Sequence, residues 1–101
     1  MEALETQLTE QMLQSAREAE TVCGVRAPQE VREIARNGGV RYIRSLAKRG
    51  MESGSLCALA EKGQVRLSFE ACAVRPEYAA LFTDDEVNAC FSALCAYGYY
   101  G

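Results

Sequence analysis

The stretch that decides the fold is residues 82–97, FTDDEVNACFSALCAY. Its start is typical of a capping box, in which the Thr83 side chain accepts from the Glu86 N–H and the Glu86 carboxylate accepts from the Thr83 N–H. The pattern predicts a C-terminal helix that begins at Thr83 and runs to about Tyr97. Its apolar side chains recur at steps of three and four, as on one face of a helix: Val87, Cys90, Phe91, Leu94 and Cys95.

The residues just before this helix fit two structures. Val65, Leu67 and Phe69 alternate with polar residues, as in a strand, but no second segment offers a partner strand. Residues 67–74 also fit a short helix that is capped at Ser68 and ends before Pro76, which is the interpretation we favour. For residues 76–81 we predict one further short helical turn.

The N-terminal half predicts three more helices. Residues 2–22 form an amphipathic pattern, and residues 28–37 and 40–49 form a pair that is joined by glycines which accept left-handed backbone angles. On the second helix Val31, Ile34 and Ala35 are predicted to face the core. On the first, the predicted core stripe consists of Leu4, Leu8, Met12, Ala16, Ala19 and Cys23.

Ser53 or Ser55 can cap a further helix that ends at Gly63. Together these patterns predict an all-α protein, a compact irregular bundle of five to six short helices in a single domain over residues 1–101. Its parts are the N-terminal amphipathic helix (1–23), a basic helical pair (26–49) and a C-terminal helical part (53–101).

Charge is distributed unevenly along the chain, although the net formal charge is only −3. Residues 1–25 carry −4, residues 26–49 carry +5 and residues 50–101 carry −4. A basic middle between acidic flanks is the strongest functional indication in the sequence. Two interpretations stay open: this stretch is a solvated face that the acidic first and last helices partly neutralise, or it binds a protein partner or phosphate. The binding residues would be Arg32, Arg36, Arg41, Arg44 and Lys48, with Tyr42 as a stacking surface or as a core residue.

The C-terminal tyrosines are a second possible interface. Tyr97, Tyr99 and Tyr100 are large amphipathic side chains of the kind enriched at protein interfaces. The alternative is that they fold back to cover a small core.

Enzyme chemistry is not expected from this sequence. The chain has no histidine, which excludes Ser-His-Asp and Cys-His sites, and it has no phosphate loop or dinucleotide fingerprint. Its five cysteines are an odd number without Cys-x-x-Cys spacing, so we predict free thiols packed as small apolar groups, with Cys90 and Cys95 buried. We therefore expect no catalytic residue, no metal site and no cofactor.

These observations favour a small non-enzymatic interaction protein that docks onto another protein or a protein–nucleic acid complex. One concrete form is a phage or mobile-element inhibitor of a bacterial nuclease or defence complex, of the anti-CRISPR kind. The alternative is a module that binds nucleic acid or a small phosphorylated ligand through residues 32–48. An acidic N-terminus and the lack of a long apolar run predict a cytoplasmic protein with no membrane partner, and a homo-oligomer stays open.

Overall fold

The computed structural model describes residues 2–99, and within that range the chain forms helices and no strand. Two 3₁₀ turns, Val65–Leu67 and Pro76–Leu81, flank the fifth α-helix. The predicted all-α class is therefore confirmed. The α-helices are α1 (Glu2–Cys23), α2 (Pro28–Asn37), α3 (Gly39–Arg49), α4 (Leu56–Glu61), α5 (Phe69–Ala73) and α6 (Asp84–Ala96).

The longest helix, α1, buries the stripe that its periodicity predicts. Leu8, Met12 and Ala19 are buried, and α1 packs against α2, α3 and α5. Ser15 is buried beside this stripe, and its hydroxyl lies 3.2 Å from the Cys72 thiol of α5. A single face of α1 thus organises the core of the N-terminal half.

The turn between α2 and α3 depends on two glycines. Gly38 has a φ of +91°, a left-handed value that side chains rarely adopt. A Cβ on Gly39 would lie 2.5 Å from Met12 Sδ, so a larger residue here would force the buried Met12 side chain to shift. The first N–H of α3, from Gly39, donates to Thr9 Oγ1 at 2.9 Å. This pair of glycines is explained by packing and turn geometry.

The segment 64–74 contains a 3₁₀ turn (Val65–Leu67) and α5 (Phe69–Ala73) and no strand, which agrees with the favoured interpretation. Ser68 caps α5, because its hydroxyl oxygen accepts from the Ala71 N–H at 3.1 Å. The predicted serine cap of α4 is wrong: the Ser55 side chain makes no capping bond, and the Ser53 hydroxyl donates to the Glu70 carboxylate instead.

The capping box of α6 is confirmed. The Thr83 hydroxyl accepts from the Glu86 N–H at 3.2 Å, and the Glu86 carboxylate accepts from the Thr83 N–H at 2.8 Å. Cys90 and Leu94 are buried, whereas Cys95 is exposed. The prediction that Cys95 is buried is therefore wrong, because the face of α6 that meets α3 and α5 is narrower than the apolar stripe in the sequence.

The elements pack as one globule with a radius of gyration of 12.3 Å. Its main core joins α1, α2, α3, α5 and α6, and smaller clusters lie under α4 and the 3₁₀ turn at 65–67. On α2, Ile34 is fully buried and Val31 is half-buried. Ala35, predicted to face the core, is exposed, since α2 contributes only a narrow edge to the bundle.

Candidate docking surface

Four of the predicted basic residues lie on the surface of α2 and α3 without a carboxylate partner in residues 2–99. The exposed side chains on α2 come from Arg32 and Arg36, and those on α3 come from Arg41 and Lys48. The basic surface, as we use the term below, consists of these four residues. No carboxylate in residues 2–99 lies at ion-pair distance from these four side chains, although glutamates line the hollows next to them.

Arg44 has a different role from the other bases. Its guanidinium donates to the Leu81 carbonyl oxygen at 3.1 Å and to Glu86 Oε2 at 3.1 Å. Arg44 therefore joins α3 to the start of α6 and belongs to the internal framework of the protein. The Glu86 carboxylate serves both this ion pair and the capping box.

Tyr42 lies in the core, which is the second of the two positions open to it from the sequence. Its side chain is 3% exposed, and its ring packs edge-on against Phe69 with ring centroids 5.5 Å apart. The hydroxyl donates to Glu30 Oε2 at 2.7 Å. Burial, followed by the bond to Glu30, raises the Tyr42 pKa far above its usual range. Tyr42 is thus unable to stack with a ligand at the surface.

Four of the five predicted basic residues line two hollows that share Asn37, and Lys48 lines neither of them. Arg32 and Arg36 border a shallow hollow on α2 together with Glu33. Arg41 and Arg44 line a groove of about 640 Å³ between α1 and α3. The same groove is lined by three acidic residues of α1, Glu2, Glu5 and Glu10.

The mixed lining gives this groove a formal charge of −1. A groove of this kind suits a protein surface that carries both signs of charge better than it suits a run of phosphates. The acids of α1 therefore restrict what the neighbouring arginines can bind.

The C-terminal tyrosines differ in environment. The Tyr97 hydroxyl donates to Glu52 Oε2 at 2.6 Å, and this bond raises the Tyr97 pKa. Tyr99 is 39% exposed and borders a second groove beside α1. Tyr100 lies outside the described residues.

The cysteines fall into two classes. Cys72 and Cys90 are buried, and burial raises the pKa of both thiols, that of Cys90 to about 12. Cys57 and Cys95 are exposed and Cys23 is half-buried, so the prediction that all five are packed inside is wrong. In residues 2–99 no group of three or more Cys, Asp or Glu side chains has an arrangement that could hold a metal ion.

Two carboxylates that sequence reasoning missed hold the loop between α3 and α4. Glu70, only 2% exposed, accepts from the Ser53 N–H at 2.6 Å and from the Ser53 hydroxyl at 2.7 Å. Glu30 accepts from the Gly54 N–H at 3.0 Å and from Tyr42. A carboxylate in the first turn of a helix is common, so neither position carried a local signal of this long-range role.

Comparison with protein-family models, with curated proteins and with solved structures found no match to this chain. The geometry of the surface is therefore the basis on which a function can be proposed. None of the helices in residues 2–99 combines the length and the hydropathy needed to cross a membrane.

Proposed function

We propose that this chain is a non-enzymatic docking protein that binds an acidic surface of a partner protein or protein–nucleic acid complex. The observation that carries the proposal is the basic surface on α2 and α3. Its four side chains are exposed and unpaired within residues 2–99, whereas Arg26, Arg44 and Arg66 each contact a glutamate of the chain.

Electrostatic complementarity across an interface steers association and selects the partner. An arginine side chain adds planar, bidentate recognition of carboxylates. Three of the four residues of the basic surface are arginines, which supports a partner that presents aspartate and glutamate side chains.

The acidic residues around the basic surface favour a protein over a bare nucleic acid. Glu33 borders the hollow of Arg32 and Arg36, and three glutamates border the groove of Arg41. A polyphosphate would be repelled by these carboxylates, and the chain as a whole is acidic. A protein partner can place its own bases against them.

A phage or mobile-element inhibitor of a bacterial nuclease or defence complex is the concrete form of this function that we propose to test. It rests on the small helices and the uneven charge. Such an inhibitor acts by covering a surface of its target, so it needs a binding face and no catalytic residue.

The test compares three forms of the chain as bait in a lysate of the source cells. The first is the native protein, and the second carries Arg32→Glu, Arg36→Glu and Arg41→Glu. The third is a control with the same change in net charge at exposed bases elsewhere, Arg17→Glu, Arg49→Glu and Lys62→Glu. Circular dichroism establishes that each form keeps its helical structure.

We expect a partner, identified by mass spectrometry, to be retained by the native and control forms and lost from the second form. Retention by all three forms would contradict the proposal. If the species retained by the native chain is nucleic acid, fluorescence anisotropy with labelled DNA and RNA at rising salt decides for the alternative function, because phosphate binding weakens steeply with salt.

A further inference from the structure

A second groove, of about 410 Å³, lies on the other side of the core-facing stripe of α1. One wall is α1 and the other is the segment 66–76, with Tyr99 at the rim. None of the residues of the basic surface lines it. This groove is therefore a separate part of the molecule, with its own chemistry.

The floor of this groove is apolar. Leu67 and Ala71 are buried beneath it, and Val74 is half-buried. Pro76, which has no N–H to satisfy, closes the end of the floor. These apolar groups can contact the apolar side chains of a ligand, beside the polar side chains that also line the groove.

Arg75 lies at this apolar floor and is unlike the other bases of the chain. It is the only one of the 11 lysines and arginines that is partly buried, and the other ten are exposed. Within residues 2–99 it has no carboxylate at ion-pair distance. A guanidinium without a counter-ion attracts a carboxylate, and partial burial of the side chain reduces the screening of that attraction by water, so this position favours a ligand that brings a carboxylate.

The wall formed by α1 carries two amide side chains and one carboxylate. Gln11, Gln14 and Glu18 follow each other at steps of three and four, so they lie on one face of the helix. They span about 10 Å along the axis, which is the length of about three residues of extended chain. The Gln14 carbonyl oxygen accepts from Arg17 Nη2 at 3.0 Å, so Gln14 offers its NH2 group to a peptide backbone, whereas Gln11 can both donate to it and accept from it.

A second guanidinium lies near the rim. Arg66 contacts Glu18 at 3.4 Å, and the two side chains are 57% and 45% exposed. An exposed ion pair of this length contributes little, so Arg66 can exchange Glu18 for a ligand carboxylate.

We propose that this groove binds an extended segment of a partner protein in which an acidic residue stands between apolar residues. The apolar side chains occupy the floor, the acidic side chain pairs with Arg75, and the segment's backbone bonds to the glutamines of α1. The proposal concerns a different surface from that of the docking function and does not depend on it.

The experiment uses two synthetic peptides that differ in one group, acetyl-Ala-Leu-Glu-Leu-Ala-amide and acetyl-Ala-Leu-Gln-Leu-Ala-amide. Each is titrated into ¹⁵N-labelled native protein at low salt, and amide chemical shifts are followed by NMR. We expect the glutamate peptide to cause saturable shift changes in residues 11–18 and 66–76. Its affinity should be about tenfold higher than that of the glutamine peptide, as a charge-assisted bond to Arg75 implies.

A pair of variants tests the role of Arg75. Arg75→Gln should reduce binding of the glutamate peptide to the level of the glutamine peptide, while Arg49→Gln, at an exposed base outside the groove, should leave it unchanged. Equal binding of the two peptides by native protein, or no saturable change in these residues, would overturn the proposal. The comparison of peptides uses native protein and is therefore informative even if Arg75→Gln fails to fold.

Discussion

At the scale of single residues, the buried Glu70 and the half-buried Glu30 stabilise a loop through hydrogen bonds, which apolar side chains cannot make. Glu70 and Glu30 together accept three hydrogen bonds from the adjacent residues Ser53 and Gly54. These bonds satisfy backbone groups in the loop between α3 and α4, where no secondary structure can do so. The loop is therefore fixed by side chains that lie 17 and 24 residues away in sequence.

The buried carboxylate should make stability depend on pH. Burial raises the pKa of Glu70, while its bonds to Ser53 act in the opposite direction and the nearby Glu52 raises it further. A carboxyl group whose pKa is raised in the folded state contributes to stability fully at pH values below its pKa in the unfolded chain, about 4.3. This contribution is lost as the pH rises through the folded-state pKa.

We expect the amide oxygen of Glu70→Gln to accept from the Ser53 N–H and its NH2 group to donate to the Ser53 hydroxyl oxygen. The substitution removes the titrating group and therefore this loss. The free energy of unfolding of the variant, relative to native, should increase as the pH is raised from about 4.5 to about 8. Urea unfolding across that range measures it. Glu77→Gln, at an exposed position, is the control. A difference between Glu70→Gln and native that stays constant with pH would contradict this account.

The cap of α6 is a second effect of a single residue. We expect Thr83→Ala to lower the free energy of unfolding by about 0.5–2 kcal/mol, because the Glu86 N–H loses its acceptor. Thr21→Ala is the matched control, since the Thr21 hydroxyl only donates back to the Arg17 carbonyl within α1. It should change stability by less than about 0.5 kcal/mol. Equal losses in urea unfolding would show that the capping box is not stabilising.

The sequence predicted those residue roles that depend on near neighbours. The capping box at Thr83 and the Ser68 cap involve atoms three residues apart, so their signal is local. The burial of Tyr42 and Glu70, and the exposure of Cys95, depend on which elements pack together. That information is not contained in the periodicity of any one helix.

At the scale of elements, α3 occupies its position through two specific contacts. Gly39 permits the close approach to α1, and Arg44 bonds to the carbonyl oxygen and carboxylate at the start of α6. Helix α3 therefore connects the N-terminal and C-terminal parts of the bundle. The basic surface lies on α2 and α3, so its orientation depends on these same contacts.

A comparison of two arginines on α3 tests this connection. We expect Arg44→Ala to lower the free energy of unfolding by about 1 kcal/mol, a value reduced for the exposure of the side chain. Arg41→Ala should change it by less than about 0.5 kcal/mol, because Arg41 has no partner in residues 2–99. Denaturant unfolding measures both, and a larger loss for Arg41 would reverse the assigned roles.

The packing of α6 gives a further prediction at this scale. Leu94 is fully buried against Leu56, Val65 and Ala71. We expect Leu94→Ala to cost about 2–5 kcal/mol, from lost burial and the cavity that remains. The exposed Cys95→Ala is its control and should be close to neutral. A smaller loss for Leu94→Ala than for Thr83→Ala would mean that α6 presents another face to the core.

The existence and order of the helices could be predicted from the sequence, but which face of a helix lies in the core could not always be predicted. Strong periodicity in α1 and the glycines after α2 define those elements locally. From the sequence, residues 64–70 could form either a strand or a helix. In the structure Ser68 caps α5, and residues 2–99 contain no strand with which this segment could pair. Ala35 was misplaced because α2 packs at one edge of the bundle.

At the scale of the whole molecule, folding brings opposite charges close together without neutralising them. The acidic first helix borders the basic third helix across a groove of about 640 Å³, yet no ion pair in residues 2–99 spans it. Acidic and basic side chains therefore share this groove without ion pairs between α1 and α3. This arrangement leaves the basic surface available for the partner that we propose.

Hydrogen exchange of the native chain, alone and with the partner recovered in the lysate experiment, tests the proposed docking surface most directly. Docking on α2 and α3 should suppress their local opening, because a bound surface stabilises the segment that carries it. We predict slower exchange in residues 28–49 of the complex, with little change in residues 84–96. Unchanged exchange in residues 28–49, with protection confined to other helices, would contradict the account.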